Sequence, residues 1–142
     1  MNTNKFLIGG IIGGVVYFFL GWLVWGMLLA DFMQQHTTEA GKAVAKAEGD
    51  MVMWALVVAN LLWGLVLSYV LVKSGANSVG KGATTGAVLS LLIGASMQCF
   101  YYAMMNMSDT TWMAVDTLAG TVVGGIVGGI IGWYLGMGKK AG

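Results

Sequence analysis

The chain has 142 residues, of which 58% are hydrophobic and only 9% are charged, and its formal net charge is +1. Soluble domains carry roughly a quarter charged residues, so this composition excludes a soluble globular protein, and the small net charge gives no reason to expect a nucleic-acid partner. All seven basic residues are lysines and Cys99 is the single cysteine, which excludes bidentate arginine clamps, internal disulfides and multi-cysteine metal sites.

Four long stretches of the chain are almost free of charge. We predict membrane-spanning helices at about residues 6–30, 51–72, 83–107 and 111–137. A helix rises ~1.5 Å per residue and needs about 20 residues to cross a bilayer core of ~30 Å, so each stretch crosses once. In lipid the backbone has to satisfy its own hydrogen bonds. The predicted fold is therefore an all-α, integral membrane four-helix bundle that forms a single transmembrane domain over residues 1–142.

The lysines predict how this bundle is oriented. Five of them lie on one side of the predicted membrane and two on the other, and the richer side is expected to be cytoplasmic. The two sets are Lys5, Lys73, Lys81, Lys139 and Lys140 on one side, and Lys42 and Lys46 on the other. Both termini are thus predicted to be cytoplasmic (N-in, C-in), with the chain in the inner, cytoplasmic membrane of a bacterium.

The first connection, residues 31–50, is the one part that could form structure in water. Within it, residues 37–49 read TTEAGKAVAKAEG, which is rich in Ala, Lys and Glu and starts with Thr. A hydroxyl N-cap followed by strong helix formers favours a helix. We therefore predict a short extracytoplasmic surface helix between the first two spans.

The fourth predicted span carries a glycine at every fourth position, and the first span has a shorter row. These predicted helix-packing residues are Gly120, Gly124, Gly128, Gly132 and Gly136, with Gly9 and Gly13 in the first span. In a bilayer, small residues four apart let two backbones approach closely. Each step of four residues advances ~400°, so the row winds round its helix. Its two ends are expected to contact different neighbours, or one partner at a steep crossing angle.

Rows of small residues in the last three spans also lead to polar side chains. At ~1.5 Å per residue these lie at similar depths in the outer half of the membrane. The predicted intramembrane polar cluster consists of Asn60, Gln98, Tyr102 and Asp116. For Asn60 and Gln98, an interhelical hydrogen bond that fixes register and a polar lining for a solute both stay open. An intramembrane carboxylate such as Asp116 is a functional candidate by default, and proton or cation handling would be its form.

Eleven methionines raise the hypothesis of a copper protein, because thioethers are ligands for Cu(I). Those nearest the predicted outer face of the last two spans are Met97, Met104, Met105, Met107 and Met113. Methionine is also a flexible apolar filler between helices. We predict no metal site and no cofactor, and a methionine-rich copper-binding membrane protein stays a second alternative.

Three features carry a resemblance to known proteins. The chain starts with Met-Asn, its first span ends in a glycine–aromatic motif (GWLVWG, residues 21–26), and Asn106 precedes the short last outer loop. In these features the chain resembles a family of small four-helix bacterial membrane proteins with a domain of unknown function. The resemblance covers nearly the whole chain and implies fold and location rather than an activity.

No sequence motif indicates an enzyme. The predicted function is that of a non-enzymatic packing or accessory subunit of a homo-oligomer or larger membrane complex, with the bilayer and other membrane subunits, or copies of itself, as partners. The first alternative is a small transporter or channel for an ion or small solute that uses Asn60, Gln98 and Asp116. A cation path would not tolerate Asp116→Asn, whereas a subunit would.

Overall fold

The computed structural model of the protein describes residues 1–139, and these form six α-helices. The helices are α1 (Thr3–Leu23), α2 (Ala30–His36), α3 (Glu39–Val44), α4 (Met53–Ser74), α5 (Val79–Met104) and α6 (Thr110–Gly136). A π-helical turn, Val24–Leu28, continues α1, and short 3-10 turns occupy Glu48–Asp50 and Met137–Lys139. The predicted all-α class is confirmed.

Four of these helices are long and apolar enough to cross a membrane: α1 with its π-helical turn, α4, α5 and α6. Their outward faces expose large apolar side chains such as Phe19, Trp54 and Leu92. A contiguous apolar surface of this kind is unfavourable in water and suits lipid. The chain therefore has the makeup of a multi-pass membrane protein.

The long helices are arranged as two tightly packed pairs that meet through α6. Helix α1 packs mainly against α4, helix α5 packs mainly against α6, and α6 also contacts α1 and α4. Helices α4 and α5 barely meet, although they follow one another in the chain. Gly75 ends α4 with a φ of 67°, and Ser78 caps α5 with its side chain. This short turn joins the two pairs without packing α4 onto α5.

The α5–α6 pair is held at backbone distance by glycines. A Cβ on Gly128 would lie against the carbonyl oxygen of Gly82, and one on Gly124 against the side chain of Ser90. Gly132 and Gly136 likewise face the carbonyl oxygens of Ser78 and Asn77. This row of glycines therefore faces a single partner, the N-terminal half of α5 and the turn before it, and its two ends do not contact different neighbours as one of the two expectations had it. The glycines concerned are Gly124, Gly128, Gly132 and Gly136.

A second row of residues on α6, which has branched apolar side chains, contributes to the apolar core. Val123, Val127, Ile131 and Leu135 each precede a glycine of the first row and are buried against Leu67 and Leu71 of α4. One residue along a helix rotates the side chain by about 100°. Helix α6 can therefore present glycines to α5 and, one position earlier, branched side chains to α1 and α4.

The α1–α4 pair also depends on glycines. Gly64 lies against the backbone of Gly10 and Gly14, so that a Cβ there would meet main-chain atoms of α1. The buried Ser68 hydroxyl donates a hydrogen bond of 2.8 Å to the carbonyl oxygen of Phe6. Gly13 lies between Gly64 and the Ile131 side chain of α6. Gly9 and Gly13 thus lie where α1 meets both α4 and α6.

The first connection is fastened to the turn between α5 and α6. Thr37 and Ser108 form an isolated antiparallel β-bridge, and the Thr38 hydroxyl donates to the carbonyl oxygen of Asn106 at 2.6 Å. The His36 Nδ1 atom lies 2.5 Å from Asp109 Oδ2. These contacts hold the two connections together at one end of the long helices.

Residues 37–49, predicted as one short helix, form helix α3 followed by irregular chain and a 3-10 turn. Thr38 is the N-cap of α3 and accepts from the backbone N–H of Gly41 at 3.0 Å. Residues 30–36, for which no separate helix was predicted, form α2. A location of α3 on the membrane surface stays a prediction.

Gly128→Ala is expected to lower the free energy of unfolding by about 1–3 kcal/mol, because the added Cβ would force α5 and α6 apart. Gly120→Ala is the matched control in the same row of the same helix. Nothing lies within 4 Å of a Cβ at Gly120, and alanine favours a helix more than glycine does. Thermal unfolding in detergent should show a lower Tm for Gly128→Ala and an unchanged or higher Tm for Gly120→Ala. Equal Tm values for the two variants would contradict close backbone packing at Gly128.

The His36–Asp109 contact predicts a pH dependence of stability. The backbone N–H of Trp112 and the neighbouring His36 ring lower the pKa of the Asp109 carboxyl below its usual value of 3.8. Because the folded-state pKa is the lower one, this stabilisation is present above pH 3.8 and is lost as the pH falls through the folded-state pKa.

Asp109→Asn keeps the N-cap of α6 but removes the charge, so it mimics the protonated form. The wild-type Tm should exceed that of Asp109→Asn at about pH 6, and the difference should shrink as the pH is lowered below 3.8. A Tm difference that stays the same over this range of pH would show that the charge of Asp109 does not contribute.

Candidate functional site: a cavity that contains a carboxylate

A cavity of about 420 Å³ lies among the four long helices. Its wall comes mainly from the C-terminal halves of α1 and α5, the π-helical turn that follows α1, and the N-terminal halves of α4 and α6. We call this part of the molecule the cavity half. The lining residues are Tyr17, Gly21, Trp25, Asn60, Trp63, Ser90, Ile93, Gly94, Met97, Gln98, Tyr101, Asp116, Gly120 and Val123. Ligand pockets in proteins span about 300–1,000 Å³, so the cavity is large enough for a small solute.

Asp116 of α6 is the one acidic residue in the cavity wall, and two other helices donate hydrogen bonds to it. The indole N–H of Trp25 donates to Oδ1 at 2.7 Å, and the amide of Gln98 in α5 donates to Oδ2. An ionised carboxylate only accepts hydrogen bonds, and two N–H donors match it. Asp116 therefore joins α1, α5 and α6 through a single side chain.

Among the side chains described, those of residues 1–138, no cation pairs with Asp116. The ion pairs there are His36–Asp109 and Lys42–Glu39, and both lie in the connections or at their edge. Hydrogen bonds from neutral donors stabilise a carboxylate but leave its negative charge in place. The cavity is thus an apolar space with one carboxyl group, which is held by two hydrogen bonds.

The structure brings together part of the predicted polar cluster. Gln98 and Asp116 are hydrogen-bonded, and Asn60 lines the same cavity. The Asn60 amide, however, donates within α4 to the carbonyl oxygen of Leu56 at 2.7 Å, so it does not link helices. Its carbonyl oxygen makes no side-chain hydrogen bond to Gln98 or Asp116 in the part of the chain described.

Tyr102 does not belong to this cluster, which corrects the prediction. Its side chain is 58% exposed, and Tyr101 lines the cavity instead. The prediction followed four-residue steps from Gln98, and each such step turns the side chain about 40° further round the helix. Gln98 already lies near the edge of the cavity-facing side of α5, so the next step leaves it.

Three glycines line the cavity and pack against nothing. Gly21, Gly94 and Gly120 each have no atom within 4 Å of the place where a Cβ would be. Gly120 was predicted as a helix-packing residue because it starts the glycine row of α6. The structure corrects this, since at Gly120 the space beside α6 is open. These glycines enlarge the cavity rather than bring helices together.

Aromatic rings form much of the remaining wall. They belong to Tyr17, Trp25, Trp63 and Tyr101. Aromatic faces attract cations, and a carboxylate adds full charge to that attraction. The arrangement can therefore hold a small solute by apolar contact and orient it by one charged group.

Sequence reasoning missed the role of Trp25, which it considered as part of the GWLVWG motif of residues 21–26. The sequence did contain a signal for this contact, because Trp25 and Asp116 lie at a similar depth, near the outer ends of their predicted spans. An indole N–H can only donate a hydrogen bond, and a carboxylate can accept it. What the sequence does not reveal is the π-helical turn that contains Trp25. The bond from the Leu29 N–H to the carbonyl oxygen of Val24, 2.8 Å long, closes this turn. Such turns often occur at functional sites.

The described part of the chain contains no cluster of the side chains that usually bind metal ions. Residues 1–139 contain no group of three or more His, Cys, Asp or Glu side chains that could hold an ion. Of the methionines, Met97 lines the cavity, while Met104 is 73% exposed. The copper hypothesis gains no geometry from these positions and stays an untested alternative.

Comparison of the chain with models of protein families, with curated proteins and with solved structures finds no match. The resemblance to a family of small bacterial membrane proteins therefore stays a prediction. The geometry of the cavity is therefore the basis on which a function can be proposed.

Trp25→Phe is expected to destabilise the protein, because it removes the N–H that donates to Asp116 but keeps an aromatic ring. A hydrogen bond to a charged group contributes about 1.5–3 kcal/mol to stability. Trp22→Phe is the matched control, since Trp22 lies one turn earlier and is 62% exposed. Thermal unfolding should show a clearly lower Tm for Trp25→Phe than for Trp22→Phe. Equal Tm values would mean that the Trp25–Asp116 bond contributes nothing to stability.

Proposed function

We propose that this chain is a membrane protein that binds a small solute in the cavity, with Asp116 as its polar contact, as a small transporter holds its substrate part-way across the bilayer. The observation that carries the proposal is a cavity of about 420 Å³ with a hydrogen-bonded carboxylate in its wall. A pocket that is mainly apolar with a few convergent polar groups is the usual form of a solute site.

The unequal packing of the two halves of the molecule supports this proposal. The other half, which we call the glycine half, is closed by direct contact of backbones at Gly64 and Gly82. In the cavity half, the glycines at Gly21, Gly94 and Gly120 leave the space open. If glycines served only for packing, those of the cavity half would also face another helix.

The lysines suggest how the site faces the membrane. Lys5, Lys73 and Lys81 lie at the ends of α1, α4 and α5 that belong to the glycine half. By the positive-inside tendency that half faces the cytoplasm. In the proposed orientation both termini are cytoplasmic, the protein lies in a bacterial inner membrane, and the cavity half faces outward. The connection with α2 and α3 then lies on the extracytoplasmic side.

An accessory subunit stays the second candidate function, supported by one groove. Most glycines of the predicted rows contact helices of the same chain, which leaves less surface for partners than the sequence led us to expect. An apolar groove nevertheless runs along the surface of α5 and α6 that faces away from the other helices, beside Gly125 and Gly129. A partner helix in the bilayer could pack there.

Gly120→Leu tests the proposed solute site by filling the cavity. Native mass spectrometry of protein extracted gently from its own membrane should show a bound small molecule on the wild type and not on Gly120→Leu. Gly80→Leu is the control, because Gly80 lies outside the cavity and also has free space around a Cβ; it should keep the bound mass.

The same spectra separate the two candidate functions. A wild-type monomer with no bound small molecule, or a bound mass that survives in Gly120→Leu, would overturn the solute site. A stable assembly with other chains, without a bound small molecule, would instead favour the accessory subunit.

A further inference from the structure

We infer that the solute of this site is an organic monocation with an apolar body, in which the cationic group lies at Asp116. The inference rests on the proposed function, since it names the class of solute that the cavity binds. It is drawn from the charge of the site, from the aromatic wall, and from the apolar gap between α4 and α5.

The carboxylate of Asp116 favours a cationic solute. Asp116 has no cationic partner among the described side chains of residues 1–138, and its two hydrogen-bond donors are neutral. A negative charge surrounded by apolar groups and lipid is unfavourable unless it is paired. A ligand with one positive charge would complete the site, whereas an anion would be repelled and a dication would carry excess charge into the membrane.

The cavity wall distinguishes an organic cation from an inorganic one. A divalent metal ion prefers several oxygen ligands, with carboxylates prominent among them, but the cavity wall contains a single carboxylate among neutral oxygens such as those of Asn60 and Gln98. Four aromatic rings line the remaining space. Aromatic groups around a carboxylate suit an ammonium group with carbon substituents, which loses little hydration when it binds.

The space between α4 and α5 is the reason for inferring that the solute has an apolar body. A second hollow, lined by Ala59, Leu62, Trp63, Val66 and Ile93, lies on this side. It shares Trp63 and Ile93 with the cavity. The two hollows are therefore neighbours at Trp63 and Ile93, in the region where α4 and α5 barely meet. In the inferred complex the cationic group lies at Asp116 and the apolar group lies toward this second hollow.

The probe for this inference is benzyltrimethylammonium, which has a permanent charge, an aromatic body and no titratable group. Its binding is measured by equilibrium dialysis against the full chain in nanodiscs of zwitterionic lipid. N,N-Dimethylbenzamide, a neutral molecule of similar size, serves as the uncharged competitor. The wild type should bind the cation, and an excess of the amide should not displace it.

Asp116→Asn should weaken binding of the cation about tenfold or more, because one partner of a desolvated charge pair is removed. The variant keeps the shape of the side chain, and its amide can still accept from Trp25. The double variant Gln98→Glu/Asp116→Asn exchanges the two groups and puts the negative charge on α5, still in the cavity wall. It should regain most of the lost affinity, which a merely structural defect of Asp116→Asn would not allow.

Each other result overturns the inference. Equal affinity of the wild type and Asp116→Asn, or no recovery in the double variant, would show that charge does not select the solute. Displacement by the amide would show that the site takes neutral solutes, and the proposed solute site would then stand without its cationic specificity. No binding of the cation to the wild type would also overturn the inference, while the Gly120→Leu comparison decides separately whether a solute site exists.

Discussion

Direct contact between helix backbones at glycines is the constraint on which the rest of this structure depends. Gly64 lies against Gly10 and Gly14, and Gly82 lies against Gly128. Lipid provides no hydrophobic force between helices, so close van der Waals contact has to hold them together. By fixing two tight helix pairs at one end, these contacts decide where the remaining space in the molecule lies.

That space is the cavity, and its wall contains a single carboxylate, that of Asp116. The glycine half brings α1 to α4 and α5 to α6, while α4 and α5 barely meet. In the cavity half, Asp116 joins α1 and α5 to α6 through Trp25 and Gln98. The same side chain thus joins the helices of the open half and places in it a carboxyl group that has no cationic partner among residues 1–138. This double role is the physical basis of both the proposed function and the inferred class of solute.

The outer connections complete this half of the molecule. The bridge between Thr37 and Ser108 and the pair of His36 with Asp109 tie the first connection to the turn before α6. Trp112 is buried in the first turn of α6, and the centroid of its ring lies 6.2 Å from that of Phe32 in α2. The start of α6 is therefore fixed near Asp116, which lies one turn further along the helix.

The sequence by itself determined the all-α class, the four long apolar helices and the candidate residues Gln98 and Asp116. These follow from local properties: the length of uncharged runs, and the cost of placing a polar group in lipid. Only the tertiary structure decided that Trp25 and Tyr101 line the cavity, that Tyr102 does not, and that Gly120 faces open space. Such choices depend on how far each helix is rotated about its axis, and about 100° separates neighbouring residues. The glycine rows of the sequence indicate close packing but not which helix each glycine contacts, and the π-helical turn leaves no signal that one sequence reveals.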